Sequence, residues 1–453
     1  MKLFRAPAAA LAATTLDRSL FCRSVPTAAA SVRDNRLISK YRKTLIGTKE
    51  LLMFEKFDPI APDPDPALAA QGRKCFVLQP NVNPTKPETW SPVLREASEL
   101  GDLSLVPTEV KIDYDMWSYL DVIRAFLPEE LHDEIPVGFN TAGHVAHLNL
   151  RARYLPYKHV IAQVILDKNA PIRTVINKTD SVGTDNEFRT FSYEVLAGPD
   201  DMMVDVSTGS CVFHFDYSKV YWNTKLSNEH ERIVSLFRPG EVVADVMAGI
   251  GPFAIPAGKK GVFVLANDKN PVSYRYLDEA IGRNKVAQFV QSFNQDGHDF
   301  IRNASRLVLE ASRRGEYALV DPPKVRRGRP QPPLMRVPMP QTISHFVMNL
   351  PASALSFLPD FRGIYCGHEE LFVPHTDKQL PLIHVHCFSV KTDGPEPLDD
   401  ICRRIYDELG VRLVPGDADI RGQVSIEEVR DVAPSKRMFC ASFRLPPEVA
   451  FAP

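Results

Sequence analysis

The sequence predicts an α/β chain: a Rossmann-like, doubly wound parallel sheet in the C-terminal half, preceded by a strand-rich α+β region. Three observations carry that prediction. After residue 230 the apolar pattern alternates helix, strand, glycine turn, helix, strand, helix. Between about 108 and 220, strand-like alternations dominate over helical stretches. Two apolar runs in the C-terminal half end on an acidic residue close to a glycine turn, where open α/β sheets bind ligands.

Bulk properties narrow the field. A chain of 453 residues holds two or three domains. Its 44% apolar and 24% charged residues are ordinary for a soluble protein. A net charge of −2 excludes a general polycation, so nucleic-acid binding would use local basic patches. The absence of an 18-residue apolar run argues against a membrane span. The seven cysteines are scattered and form no CxxC, which speaks against a disulfide framework or zinc site and fits a reducing compartment.

In chain order, residues 1–33 come first, with five basic residues, one acid (Asp17) and much Ala, Ser and Thr. They read as a mitochondrial transit peptide or a disordered tail. A first domain is expected over 34–135, with "DPIAPDPDPALAAQG" (58–72) as a linker or exposed loop and "SYLDVIRAFLPEEL" as an amphipathic helix. A strand-rich middle domain is expected over 136–218, from "HVAHLNLR", "HVIAQVILDK", "IRTVINK", "FSYEVLAG" and "CVFHFDYSKVYW". The doubly wound domain then fills 219–453, interrupted by the Pro/Arg-rich "PPKVRRGRPQPPLMRVPMP" (322–340), read as a basic surface loop that could touch phosphate.

Within the last domain, "EVVADVMAGIGPFAIPAG" gives a strand, a turn at Gly249 and Gly251, and a helix with Pro252 in its first turn. "GVFVLANDKNP" places Asp268 at the next strand end, suited to ribose hydroxyls, and "FVQSFNQDGHDFI" places Asp296-Gly297 beside an adenine position. Gly249, Gly251 and Ala254 satisfy GxGxxG/A, which leaves a nicotinamide dinucleotide open. Against it, Asp245 precedes the turn and Pro252-Phe253 occupy the helix start, an arrangement suited to a cationic ligand such as S-adenosylmethionine. In "HFVMNLPASALSFL", a strand (346–348) ends on Asn349, Pro351 fixes the turn, and a helix follows over 352–358. The Asn amide and carbonyl can meet a planar base there. "YALVDPPK" offers a rival turn at Asp321-Pro322-Pro323, but Lys324 stands where an aromatic would belong and no helix follows.

Several separated segments then resemble one family: "FRTFSYEVLAG", "VYWNTKLSNEHERIV", "DVMAGIGPFAIPAGKKG", "ANDKNP", Asp296-Gly297, "MNLPASA" and "VRDVAPSKRMFCASFRLP". Together they look like the eukaryotic and archaeal tRNA (guanine-N1)-methyltransferases that modify guanosine 37, over roughly residues 140–450. The resemblance implies a class I methyltransferase domain behind α+β tRNA-recognition domains, S-adenosylmethionine as cofactor, tRNA as partner and a role in reading-frame maintenance. The region 303–344 is longer than the family leads one to expect. By position, Glu229 becomes the general base for the guanine N1–H, Arg189 the cation that stabilises charge on O6, and Asn349 the residue holding the base against the cofactor. His230, Gly249, Gly251, Asp268, Lys269, Asp296 and Gly297 fall to the cofactor, and Tyr221, Lys225 and Pro351 to the substrate. No metal is needed, because a sulfonium is already an activated methyl donor. A monomer is expected, in the mitochondrial matrix with further cytoplasmic and nuclear pools.

Taken singly these residues have plainer readings. Glu229 and Glu231 suit a helix dipole, and an isolated arginine is more often a surface ion pair. Three other activities fit parts of the pattern. One is a wybutosine-pathway aminocarboxypropyltransferase using the same cofactor, disfavoured by Glu229-His230. The others are a nicotinamide-dependent dehydrogenase and a catalytically dead RNA-binding module.

Overall fold

A computed structural model of the chain describes residues 15–53, 57–179, 188, 190–320, 333–372, 380–392, 394–433 and 435–453. It divides into two compact units. The first takes the described chain up to Phe139 together with Ala146–Asn177 and Glu194–Asp200; the second holds Asn140–Val145, Lys178–Tyr193 and Asp201–Pro453. The hairpin Met203–Thr208/Cys211–Asp216, expected in a middle domain, thus belongs to the same unit as the doubly wound sheet. Among the described residues no helix is long and apolar enough to cross a membrane.

The first unit corrects the expected boundary at residue 33. Arg23–Val32 is a strand interior to an antiparallel sheet, in the order Ile60–Pro62, Lys74–Val77, Arg23–Val32, Leu103–Ile112. It pairs along its whole length with the last of these, from Arg23 opposite Ile112 to Val32 opposite Leu103. Ala29 packs into a core with Trp117 and Phe126, while Ala28, Ala30 and Val32 face another with Tyr41, Leu45 and Leu94. Small side chains let both layers close on the strand, and their Ala/Ser/Thr composition is what imitates a presequence. Residues 1–14 lie outside the described residues.

A second correction is "HVIAQVILDK", which forms the helix Lys158–Lys168 and not a strand. Its β-branched residues favour a strand, but Val160, Ile161, Val164 and Ile165 recur at helical spacing, and burial of all four decides the matter. The helix expected over 118–131 forms only over Tyr119–Phe126, started by a capping box between Ser118 and Asp121, and Glu129–Leu131 is a separate 3-10 turn beyond Pro128.

The second unit is built on an eight-stranded sheet. Its order is Val290–Phe293, Phe263–Asn267, Val242–Asp245, His345–Met348, Leu382–Val390, Lys436–Arg444, Gln423–Ala433, Val414–Pro415. The first five strands are parallel; Lys436–Arg444 runs antiparallel to Leu382–Val390 and to Gln423–Ala433. Val242–Asp245, Phe263–Asn267 and His345–Met348 are buried at every position, as parallel strands covered on both faces must be. One core cluster joins these strands to the helices Gly297–Arg313 and Glu396–Leu409 through Phe300, Ile301, Val308, Ile401 and Ile405.

The strands before the two candidate turns lie in different sheets. His345–Met348 lies beside Val242–Asp245, with Val347 opposite Asp245. Tyr317–Val320 stays out of it and pairs with Met335–Pro338 in a separate antiparallel ribbon. The expected 322–340 loop is therefore partly strand, with Pro338 at the strand end where no ladder donor is required. Residues 321–332, including Asp321, Pro322, Pro323 and Lys324, lie outside the described residues. The segment after Asn349 is a 3-10 helix, Ala354–Phe361, and not an α-helix over 352–358. Pro359 within it has no N–H to give to an α-helical ladder.

Candidate active site

The candidate cofactor end is assembled from neighbouring strand ends by hydrogen bonds to the backbone. Gly249 (φ 58°) and Gly251 (φ 94°) adopt left-handed conformations. A Cβ on Gly251 would sit 2.8 Å from Leu277 Cδ1, so only glycine fits. One on Gly249 would meet nothing within 4 Å, leaving an open face above the turn. Pro252 falls just ahead of the N-cap Phe253, outside the first turn where it was expected, since the helix runs Ala254–Lys259. Asn267, fully buried, ties the strand ends together: its amide donates to the carbonyls of Val246 and Gln295, and its oxygen accepts from the Gln295 N–H.

Asp268 is fixed against the turn. One carboxylate oxygen accepts from the Gly249 N–H at 2.8 Å and the other from the Asn270 N–H at 2.9 Å. Burial pushes its pKa up, partly offset by those two N–H groups. Each oxygen keeps a lone pair for a ribose hydroxyl, but the residue also shapes the loop. Asp296 caps the helix Gly297–Arg313 through the His298 N–H and pairs with Lys269 at 3.0 Å. Gly297 packs so closely on Phe357 that a Cβ would lie 2.9 Å from its ring. Asp245 is fully buried, and neither of its carboxylate oxygens has a hydrogen-bond partner among the described residues. Burial and the neighbouring Asp268 push its pKa well up. An orphaned acid beside an open glycine turn is the complement of a cationic ligand, so these residues fit S-adenosylmethionine.

The candidate base end comes from distant segments. A cavity of about 110 Å³ is lined by Tyr221, Asn223, Leu226, Asn349, Pro351, Phe388, Arg430, Val432 and Met438. Three predicted residues, Tyr221, Asn349 and Pro351, meet there. Lys225 is exposed on the same short turn and does not line it. The Pro351 carbonyl accepts from the Phe388 N–H at 3.1 Å, which holds the turn to the next strand. The Asn349 side chain has no hydrogen-bond partner among the described residues and stands at the cavity wall. Arg189 lies outside the described residues.

Glu229 sits in the first turn of the helix Ser227–Leu236, buried and fully engaged. Arg232, one turn on, donates Nε to one carboxylate oxygen at 2.7 Å and an amino group to the other at 2.8 Å. His386 Nε2 lies 2.7 Å from Glu229 Oε1, and its Nδ1 lies 3.4 Å from the carbonyl of Met348, the residue before Asn349. Burial alone would raise the Glu229 pKa, but the hydrogen bonds from His386 and Arg232 outweigh it and hold the carboxyl at about 2. For His386 burial pushes down, while Cys440 and the Glu229 carboxylate push up, to about 10. Glu229, His386 and Cys440 present ligand-type atoms within 4.8 Å of one another, yet the Arg232 guanidinium already occupies the carboxylate that a metal would need. His230 packs edge-on to Phe253 at 4.8 Å, and burial pushes its pKa down to about 4. It lines a separate cavity of about 290 Å³ with Cys211, Phe213, Trp222, Pro252 and Lys260.

Arg232 was findable from sequence as the i+3 partner of Glu229. His386, Phe388, Arg430 and Met438 carried no such signal, since they come from strands more than 150 residues further on.

Comparisons with known proteins give the family. The chain matches the TYW2 N-terminal domain family over residues 119–201 and the TRM5/TYW2 methyltransferase domain family over 206–320. A tRNA (guanine(37)-N(1))-methyltransferase of Fusarium vanettenii is 66% identical, over 100% of this chain and 97% of that protein. Its counterpart in Neurospora crassa is 58% identical, over 100% and 96%. Among solved structures, the complex of aTrm5 and tRNALeu shares the fold at 17% identity, with a TM-score of 0.61 over 93% of this chain and 100% of that one. Trm5b from Pyrococcus abyssi does so at 20% identity, with a TM-score of 0.56 over 92% and 99%. Aligned along its whole length with relatives of such identity, the chain belongs to the tRNA (guanine(37)-N(1))-methyltransferase family.

Proposed function

We infer that this chain transfers a methyl group from S-adenosylmethionine to N1 of guanosine 37 in tRNA. The observation that carries the reading is the placement of Asn349 on a strand end next to the glycine-turn strand and at the wall of a small cavity, directly after Met348, whose carbonyl faces His386 and through it the buried Glu229 carboxylate. Bound S-adenosylmethionine supplies a methyl group activated on a sulfonium. Gly249, Gly251, Asp268, Asp296 and Lys269 hold it, and Asp245 faces its cationic part. Asn349 and Pro351 position the guanine. Arg189 stabilises negative charge on O6 as the N1 proton leaves.

Glu229 is the proposed proton acceptor. As arranged here it is ionised but saturated by two cations, and a carboxylate held at about 2 accepts protons weakly. Base catalysis therefore requires the incoming guanine to displace one of the Arg232 donors. The same observation favours a second reading, in which Glu229 orients the base by accepting its N1–H and the proton leaves to solvent. Incubating tRNA with the protein and labelled S-adenosylmethionine, then mapping the product nucleoside, tests the function. We expect 1-methylguanosine at position 37 and no transfer when that position is adenosine. An aminocarboxypropyl adduct, or methylation elsewhere, overturns it.

A mitochondrial address rests on the basic, acid-poor composition of the N-terminal segment. A reporter carrying residues 1–22, which stop before the first strand, should enter mitochondria; a diffuse cytosolic signal would reject the address. A monomer remains the proposal for assembly, tested by light scattering of the free chain, where a dimer mass would reject it.

A further inference from the structure

The hairpin Gln423–Ala433/Lys436–Arg444 carries an irregularity on one strand only. Glu428 pairs with Phe439 and Arg430 with Met438, so one extra residue, Val429, intervenes on the first strand and none on the second. The same happens between Asp431 and Ala433, where Val432 is the extra residue. In a regular strand Arg430 would share a face with Glu428, the face of the buried Phe439. The bulge reverses that parity and turns Arg430 to the face of Met438, where both line the cavity with Asn349, Pro351 and Tyr221. Val432 at the second bulge lines it too.

Arg430 also differs from its basic neighbours. Arg437 is paired with Glu428 at 3.3 Å and with Asp431 at 3.2 Å. Lys391 pairs with Asp431, and Lys436 lies over the Phe388 ring at 4.1 Å. Arg430 donates Nε to the Asp431 carbonyl at 3.0 Å, and among the described residues its terminal amino groups have no partner. The cavity mouth is open beside it: Tyr221 is 41% and Val432 42% exposed. A nucleotide whose base enters the cavity must leave its sugar–phosphate at that mouth. A half-buried guanidinium with a planar pair of free donors is suited to a phosphodiester.

We propose that Arg430, aimed by the Val429 bulge, binds the backbone phosphate of the nucleotide whose base occupies the cavity. This rests on the tRNA reading above. The test is equilibrium binding of tRNA to the full chain across a salt series, with Arg430→Ala and Arg430→Lys, followed by kcat and KM for methylation. Arg430→Ala should weaken binding about tenfold and reduce the slope of log K against log salt by roughly one, with the loss in kcat/KM falling on KM. Arg430→Lys should keep the parent slope. An Arg430→Ala protein with parental affinity and slope, or an Arg430→Lys protein with the slope of the alanine variant, overturns the proposal. So does an Arg430→Ala protein with parental binding that methylates a changed base at position 37, since that residue would then read the base. If the parent binds tRNA with the predicted Arg430 dependence but leaves guanosine 37 unmethylated, the functional reading fails and the phosphate contact stands.

Discussion

The proposed cofactor end and the proposed base end of the second unit are built by different physics. At the cofactor end, acids and glycines on three neighbouring strand ends are locked by main-chain hydrogen bonds: Asp268 to Gly249 and Asn270, Asp296 to His298, Asn267 to Gln295. At the base end, side chains from five separate segments converge, and the main contacts are between charged side chains: Glu229 with Arg232 and His386. The first arrangement is preorganised by the turn itself. The second depends on strand order and register, and it can change its hydrogen bonds when a ligand enters. Binding of the cofactor should therefore be separable from the chemical step.

The largest effect expected from breaking that division is at Glu229. Glu229→Gln keeps the shape and removes the carboxylate, so single-turnover methyl transfer should fall by roughly 10²–10⁴. Raising the pH should restore part of the rate, because guanine then ionises without the enzyme's help. Arg189→Ala should respond less to pH, since it loses charge stabilisation and keeps the proton acceptor.

Asp268→Ala should weaken S-adenosylmethionine binding by about 1–3 kcal/mol in calorimetry, through lost ribose contacts and a loosened glycine turn. Tight binding of a nicotinamide dinucleotide instead would contradict the cofactor assignment.

Asp245→Asn sharpens the comparison in the opposite direction. A buried acid whose pKa is raised in the folded state costs stability at neutral pH, a cost that grows as pH rises above its unfolded value. The asparagine variant should melt a few degrees higher without cofactor and bind S-adenosylmethionine more weakly. A lower melting temperature with unchanged binding would show that Asp245 is structural.

The smallest effect concerns the pH dependence of the base end. His386 is raised to about 10, so its stabilisation is fully present below its unfolded pKa and is lost as pH rises through about 10. The Glu229 contribution is present above its unfolded pKa and is lost as pH falls through about 2. Melting curves of the parent should thus decline on the alkaline side of neutrality, and His386→Asn should flatten that limb. An identical alkaline limb in both would remove His386 from the network.

The same contrast explains what was legible in the sequence. Gly249, Gly251, Asp268 and Asp296 occupy fixed places after apolar runs, so periodicity and turn chemistry reveal them. Asn349 was readable because Pro351 and a buried strand flank it. His386 and Arg430 were not, because a strand residue gains its neighbours only through sheet order, and a bulge leaves no mark on composition. The misread segments show the same boundary. Arg23–Val32 looks like a presequence because alanine suits both a signal and a strand packed on both faces. Lys158–Lys168 looks like a strand because its β-branched residues are individually strand formers.

The most direct test crosses the two ends. Single-turnover rate at saturating cofactor and the dissociation constant for S-adenosylmethionine would be measured for Glu229→Gln and Asp268→Ala side by side. The predicted result is a crossed pattern: Glu229→Gln slow with near-parental cofactor affinity, and Asp268→Ala weak in cofactor binding but recovering most of the rate once saturated. Glu229→Gln as fast as the parent, or both variants losing affinity and rate together, would contradict the division of labour.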